Sequence, residues 1–336
     1  VTTASPPAGS SPVAIAGLGA YLPERLVTND DLARVLDTSD EWIQSRTGIR
    51  QRHVAAPQEA TSDLATAAAR AALADAGLQP AALSAIIVAT TSPDHPVAAT
   101  APLVAAALGI AVPAFDLNAA CSGFIYALRV AAGLLASGDG AVLVIGAETL
   151  TRVVDPEDRS VAVLFGDGAG AVVLVPDDAA VLGPFTLGAD GSDASMLWTA
   201  SGGTRRPFDA GVLADRSHYL TMRGGDVYRN AVARMAESAR EVLRLADLEV
   251  TDVDLLVGHQ ANVRILDAVA TRLGLPASRC QMSVDRHGNT SAASIPLALW
   301  DAREQAKLHG GDTVLLAAFG AGLTWGACLL TWKERP

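Results

Sequence analysis

The stretches "AAARAALADAGLQPAALSAIIVATTS", residues 67–92, and "AVARMAESAREVLRLADLEVTDVDLLVGHQ", residues 231–260, share one layout. Each begins with an Ala-rich segment whose apolar residues recur at helical spacing. A short polar turn follows, then an apolar run that reads as a buried strand. Ile86 aligns with Leu255, and Val142 aligns with Val314 at almost the same separation. "GAGAVVLV" and "TWGACLLTW" close the two stretches of chain in the same way. Matching order at near-constant spacing predicts an internal duplication. The halves are expected at 13–180 and 181–336, behind a loose polar tail over 1–12.

Further apolar runs predict strands over 13–17, 85–89, 141–145, 171–175, 255–257, 313–317 and 327–331. Periodic segments predict helices over 62–76, 122–137, 227–246, 263–273 and 292–307. This alternation argues for a layered α/β fold.

Half of the 336 residues are hydrophobic and 18% are charged, which suits a large core and excludes a disordered chain. A net charge of −11 weighs against nucleic-acid binding, which depends on neutralising phosphates. A local basic patch can still meet an anionic ligand. Cys121, Cys280 and Cys328 are too few and too scattered for a disulfide framework or a metal cluster. Reduced thiols, no metal and a cytoplasmic location are expected. "VTTASPPAGSSP" lacks the basic and apolar regions of a signal peptide. No uninterrupted apolar run is long enough to span a membrane, so no membrane association is expected.

Cys121, in "NAACSGF", sits where an apolar helix begins. A helix N-terminus carries free N–H groups and partial positive charge, both of which favour a nucleophilic thiolate. Ala119, Ala120, Ser122 and Gly123 leave room for a substrate. A buried apolar cysteine is the competing reading. His259, in "GHQANVRI", follows a strand and precedes a helix, where catalytic groups gather in open α/β folds. A nucleophilic cysteine commonly has a histidine partner remote in sequence; a turn hydrogen bond is the alternative. Asn289, in "DRHGNTSAAS", is either an amide donor or a simple N-cap. The duplication, at a separation close to the others, pairs it with Cys121, so both helix starts are expected to converge on one site. His287, beside Asp285 and Arg286, reads as a polar turn residue. In "LFGDGAGAVVLV" no phosphate-binding helix follows, so Gly166, Gly168 and Gly170 read as tight strand-to-strand packing. The glycine-rich strand end "AAFGAGLTWG", residues 317–326, can supply a backbone N–H to an oxyanion.

These motifs, with "GLGAYLPE", "DTSDEWIQSRTGIRQRH", "DPEDR" and "FGDGAGA", resemble the β-ketoacyl-acyl carrier protein synthase III family of the thiolase superfamily. The resemblance covers nearly all of 13–332. It implies a five-layered αβαβα fold of two similar halves and a homodimer. It implies that an acyl group from acyl-CoA is loaded on Cys121. Decarboxylative condensation with malonyl-acyl carrier protein then yields a 3-oxoacyl product, with no permanently bound cofactor. His259 and Asn289 would stabilise the enolate oxygen; the N–H groups of Cys121 and near Ala321 would hold the tetrahedral oxyanion. Phe319 would exclude water.

For CoA, the resemblance implies Trp42 beside the adenine with Arg159 on its other face. Thr38 and Arg46 would meet the nucleotide end, and Asn262 and Gly224 the pantetheine. Arg229, Arg264 and Arg272 become candidate contacts for an acidic carrier protein, with ordinary solvated charge as the competing reading. Thr90, Leu150 and Phe165 would wall the acyl pocket. Val97 stands where acetyl-using members carry an aromatic, in a stretch that reaches the partner's pocket. That departure points to a longer or branched primer, in fatty acid or aromatic polyketide initiation. Ala321 replaces a frequent glycine but keeps its N–H. A thiolase-fold acyltransferase that forms an ester or amide is the competing activity, because the same Cys-His-Asn set can serve it.

Overall fold

The computed structural model describes residues 9, 11–138 and 140–333. Strand β1 (Val13–Tyr21) leads into an excursion made of β2 (Arg25–Thr28), α1 (Asn29–Ala33), α2 (Asp40–Thr47) and β3 (Gln51–Val54). Next come α3 (Thr61–Ala76), β4 (Leu83–Ala89), α4 (Thr100–Ala107), β5 (Ala114–Leu117), α5 (Gly123–Leu135), β6 (Ala141–Glu148), α6 (Arg159–Ala162) and β7 (Gly168–Pro176). The chain continues through β8 (Leu182–Ala189), β9 (Leu197–Thr199), α7 (Ala210–Ala214), β10 (Leu220–Met222), α8 (Gly224–Ala246) and β11 (Leu255–Gly258). It ends with α9 (Val263–Leu273), α10 (Val284–His287), α11 (Ser294–Glu304), β12 (Thr313–Gly320) and β13 (Thr324–Thr331).

The strands form two main sheets, ordered β1-β7-β6-β4-β5 and β8-β13-β12-β11. Both begin with two antiparallel pairings and then turn parallel. Where the first sheet has β5, the second has a single parallel bridge from Leu256 to Cys280. Helices α5 and α11 lie between the sheets. Phe124, Leu128, Ile295 and Leu299 pack there against Ile87 and Val144 on one side and Val257 and Leu316 on the other. Each such side chain contributes roughly 1.5–3 kcal/mol on full burial. The outer face of the first sheet carries α3 and α4, and that of the second carries α8 and α9. The result is the five-layered αβαβα arrangement.

Small residues set the layer spacing. A Cβ on Gly17 would lie 2.2 Å from the Ala72 carbonyl oxygen, and one on Gly19 would lie 2.3 Å from that of Ala68. The Ala-rich α3 therefore rests directly on β1. Gly168 and Gly170 serve the same end, but their close neighbours are Leu297 and Pro296 of α11, and that of Gly166 is the His287 carbonyl. The packing is strand against helix or turn at Gly170 and Gly166, while Gly168 also meets Leu22 and the Tyr21 carbonyl of β1.

Two expectations need correction. The tail over 1–12 falls mostly outside the described residues, but Ser11 within it is not loose. It exchanges two backbone hydrogen bonds with Leu182, at 2.9 and 3.0 Å. The alignment of Ile86 with Leu255 is also out of register: Ile86 faces the outer helices and Leu255 the central ones, whereas Val142 and Val314 both face the central helices.

Candidate active site

Two helix starts meet where the halves face each other. Before α5, Asn118 accepts the Ala120 N–H at 3.2 Å, and Ala120 takes a left-handed φ of 47°. A 3-10 turn over Ala120–Ser122 then delivers Cys121. Before α11, Asn289 accepts the Ser291 N–H at 2.9 Å, Ser291 has φ 48°, and a 3-10 turn covers Ser291–Ala293. The two turns match position by position: Asn118 with Asn289, Ala120 with Ser291, and Cys121 with Ala292. The expected pairing of Cys121 with Asn289 is therefore out of register, because both turns, not only the helices, are repeated.

Each turn abuts the opposite half. A Cβ on Gly146 of β6 would sit 2.2 Å from the Ala292 carbonyl, and one on Gly320 of β12 would sit 2.7 Å from the Cys121 nitrogen. These bare strand ends let both turns approach one cavity of about 890 Å³, lined by Cys121, His259, Asn289, Asn118 and Ser291 among others.

Cys121 is 8% exposed. Burial pushes its thiol up to about 12, although the Ser291 hydroxyl and its own N–H favour thiolate. Desolvation outweighs the helix-start effect expected from the sequence. His259 follows β11, its N–H bound to the Ala317 carbonyl at 2.8 Å. Its Nδ1 lies 2.7 Å from Ser294 Oγ, which also accepts the Gln260 N–H at 3.3 Å. When the Ser294 hydroxyl donates to Nδ1, Nε2 carries the ring proton toward the cavity. Burial holds His259 at about 3, hence neutral across the physiological range. On Asn289, Oδ1 is occupied by the Ser291 N–H, which leaves the NH₂ group to donate into the cavity. The arrangement offers a thiol and two neutral donors in a mostly apolar cavity, suited to a developing oxyanion.

Phe319, Ala321, Leu150 and Phe165 also line the cavity. Trp42, Arg46, Gly224 and Asn262 line it too, with Arg229 and Arg264 on exposed parts of its rim. Asn262 caps α9 and donates from its side chain to the Arg46 carbonyl at 3.1 Å, tying α9 to α2.

Five expected residues lie elsewhere. Thr90 is buried and turns its hydroxyl to Glu148 at 3.3 Å, while Thr91 faces the cavity. Val97 is 98% exposed and lines no cavity of its own chain. Arg272 is exposed beyond the rim. Thr38 is outside the lining, with a buried hydroxyl that has no partner. Arg159 is also outside it and stacks on Trp42, its guanidinium carbon 4.9 Å from the ring centroid. A ring sandwiched between them needs two contact separations of about 3.5–4.0 Å each. Adenine therefore enters only if the exposed Arg159 swings away.

The sequence reading missed Ser291, Ser294 and Glu148. Both serines lie inside a motif already singled out, and their signal was the repeated asparagine shortly before each helix. Glu148 was visible as the lone charge ending an apolar strand. Among the described residues, no group of three or more His, Cys, Asp or Glu is placed to hold a metal, and no helix is long and apolar enough to cross a membrane.

A two-half αβαβα fold with a thiol, a neutral imidazole and an amide at the meeting of its central helices defines a thiolase-like condensing enzyme. Comparison with known proteins narrows that class. Two family profiles match: 3-oxoacyl-[acyl-carrier-protein] synthase III over residues 115–191, and the C-terminal part of the same family over 243–332. β-Ketoacyl-[acyl-carrier-protein] synthase III 3 of Streptomyces coelicolor is 54% identical over 95% of this chain and 96% of its own. The solved 3-oxoacyl-[acyl-carrier-protein] synthase III of Aquifex aeolicus is 44% identical, with a TM-score of 0.89 over 95% of this chain and all of its own. The priming β-ketosynthase of the R1128 polyketide biosynthetic pathway is 37% identical, with a TM-score of 0.90 over both full chains. This chain belongs to the β-ketoacyl-acyl carrier protein synthase III family and is a condensing acyltransferase.

Proposed function

We propose that Cys121 takes an acyl group from acyl-CoA and passes it to the carbanion formed from malonyl-acyl carrier protein. The observation that carries this reading is the convergence of Cys121, His259 and Asn289 on one cavity that also holds Trp42 and Arg46. The Cys121 sulfur attacks the thioester carbonyl and CoA leaves. The malonyl thioester then loses carbon dioxide, and negative charge develops on its carbonyl oxygen. His259 Nε2–H and the Asn289 NH₂ donate to that oxygen. Both are neutral, so each stabilises the enolate without first giving up a proton. The resulting carbon attacks the acyl-enzyme and releases the 3-oxoacyl product. The N–H of Cys121 and that of Ala321 hold the tetrahedral oxyanion, and Phe319 keeps water away.

On the nucleotide arm, Trp42 and Arg159 take the adenine, with Thr38 and Arg46 at the nucleotide end and Gly224 and Asn262 along the pantetheine. Arg229 and Arg264, exposed at the rim, and Arg272 beyond it receive the acidic carrier protein and give a local positive face on an acidic chain. The enzyme acts as a cytoplasmic homodimer whose halves divide near residue 180. The exposed Val97 inserts into the partner's acyl pocket, completing the wall made by Leu150 and Phe165 with Thr90 behind it. Its modest size admits longer or branched primers in fatty acid or polyketide initiation.

Intact-mass measurement after mixing with acyl-CoA tests the nucleophile. An acyl adduct forms on the wild type and not on Cys121→Ala; the same adduct on both would overturn it. A primer panel scored by kcat/KM tests the pocket. A clear win for acetyl over propionyl and branched primers removes the role given to Val97.

A further inference from the structure

The two active-site turns are reached by different routes. In the first half, Asn118 follows β5, which is held along its length by its ladder to β4. In the second half the corresponding place has only the Leu256 to Cys280 bridge, and the four-residue α10 leads to Asn289. A single helical turn has too few internal hydrogen bonds to fix its own place. Two buried side chains hold it instead. Gln260, next to His259, uses its whole amide. Its Nε2 donates to the carbonyls of Gly258 and Gln281 at 2.8 and 3.1 Å, and its Oε1 accepts the N–H groups of Ser283 and Val284 at 2.9 and 3.2 Å. At the other end of α10, the buried Asp301 of α11 accepts both arms of Arg286 at 3.1 and 3.0 Å and Nε2 of His287 at 2.9 Å. His287 Nδ1 is buried with no partner among the described residues, so Asp301 is the one hydrogen-bond link of that ring. By the match of Cys121 with Ala292, Asp301 falls opposite Val130, which is exposed and has no side-chain acceptor. The clamp belongs to the second half alone.

We propose that Asp301 and Gln260 are positioning residues that replace the missing strand and aim the Asn289 amide at the malonyl oxygen. The proposal rests on Asn289 being the enolate donor. Gly288, with φ 66°, joins the clamped helix to Asn289, and a Cβ there would lie 3.0 Å from the Leu164 carbonyl. Asn289 itself donates its N–H to the Leu164 carbonyl at 2.8 Å and accepts the Gly166 N–H at 3.1 Å. Both bonds lie on one residue, so the turn can still pivot about the line through them, and that pivot swings the side chain. Asp301 blocks it. It grips the two residues that enter the turn, Arg286 and His287, from the helix that leaves it. The clamp thus closes a ring around Gly288, Asn289 and the 291–293 turn. A displacement of about 1 Å at a reacting centre can cost on the order of 10²-fold in rate. Cys121 sits on the other turn, with its own strand behind it, so the clamp serves the donor and not the nucleophile. Gln260 also lies beside His259 and shares Ser294 with it, so Asp301 is the cleaner place to break the clamp.

The experiment measures the two half-reactions separately in Asp301→Asn, which keeps the shape but turns an NH₂ toward one of the donors. Carbon dioxide release from malonyl-acyl carrier protein should fall by about 10- to 100-fold, while acyl-enzyme formation from acetyl- and isobutyryl-CoA, read by intact mass, stays within about twofold of wild type. In an Asn289→Ala background the same change should cost less than about threefold more, because the group it aims is gone. An equal fall in both half-reactions, or an undiminished loss in the Asn289→Ala background, overturns the proposal, since a residue that only stabilises the fold gives those results. Should Asp301→Asn fail to fold, Arg286→Lys carries the test; it keeps the charge, breaks the two-armed grip and should show the same split to a lesser degree. A crystal structure of the variant should show the Asn289 amide displaced with Cys121 in place; an unmoved amide overturns the clamp. Release of carbon dioxide by Asn289→Ala at the wild-type rate would refute the donor role of Asn289, and the position of the amide in the Asp301→Asn crystal would still decide the clamp.

Discussion

The turn before α5 and the turn before α11 share a backbone and differ in chemistry. Both place an Asn side chain on the N–H two positions ahead, and both force a non-glycine residue into left-handed φ. Such strain costs of order 1–3 kcal/mol and persists where surrounding contacts leave no alternative. The first turn then presents alanine and cysteine, and the second serine and alanine. One half thus contributes the thiol, and the other an amide and a hydroxyl, to the same cavity. The repeat supplies two corners of the same backbone; only the asparagine is shared between 118–123 and 289–294, and the divergence of the other side chains makes one composite site.

The most severe way to break this comparison is Cys121→Ala, which should lower condensation by about 10⁴-fold or more and abolish the acyl adduct in intact mass. Adding Ala292→Cys to that variant moves the thiol to the equivalent corner. No adduct should return, because Ala292 is 1% exposed and packs in the central core rather than the cavity. Any acylation at residue 292 would show that the corners are interchangeable.

Next in size are His259→Ala and Asn289→Ala, which should still form the acyl-enzyme but lose malonyl decarboxylation by about 10²–10³-fold each, as for other removed oxyanion donors. The pH dependence sharpens this. His259 gains a proton only as pH falls toward about 3. It should therefore contribute no inflection to decarboxylation between pH 5 and 8. An inflection near 6.5 that vanishes in His259→Gln would contradict the neutral donor.

Smaller effects are expected at the strand ends that admit the turns. Gly146→Ala and Gly320→Ala should each destabilise the fold by about 1–3 kcal/mol, seen as a lower Tm. The Gly320 change should also slow acylation, because its Cβ would press on the Cys121 nitrogen. Smallest of all, Trp42→Ala should raise KM for acyl-CoA about tenfold with little change in kcat, by losing uniform binding.

Much of this was legible in the sequence. The repeat of helix, turn and strand foretold two similar sheets, because periodicity and burial are local properties. The strand ends and helix starts carrying Cys121, His259 and Asn289 could be found for the same reason. The short β5 and the Gly- and Pro-interrupted β8 could not, since so brief or so broken a run holds too little pattern.

What the sequence by itself determined was the layered fold, the family likeness and the candidate set Cys121, His259 and Asn289. Tertiary structure decided the rest: that Cys121 corresponds to Ala292, and that Val97 and Thr90 stand outside this chain's cavity. Those facts depend on which turn abuts which strand end across the two halves. Contacts between segments half a chain apart leave no period in a single sequence, because only close packing brings them together.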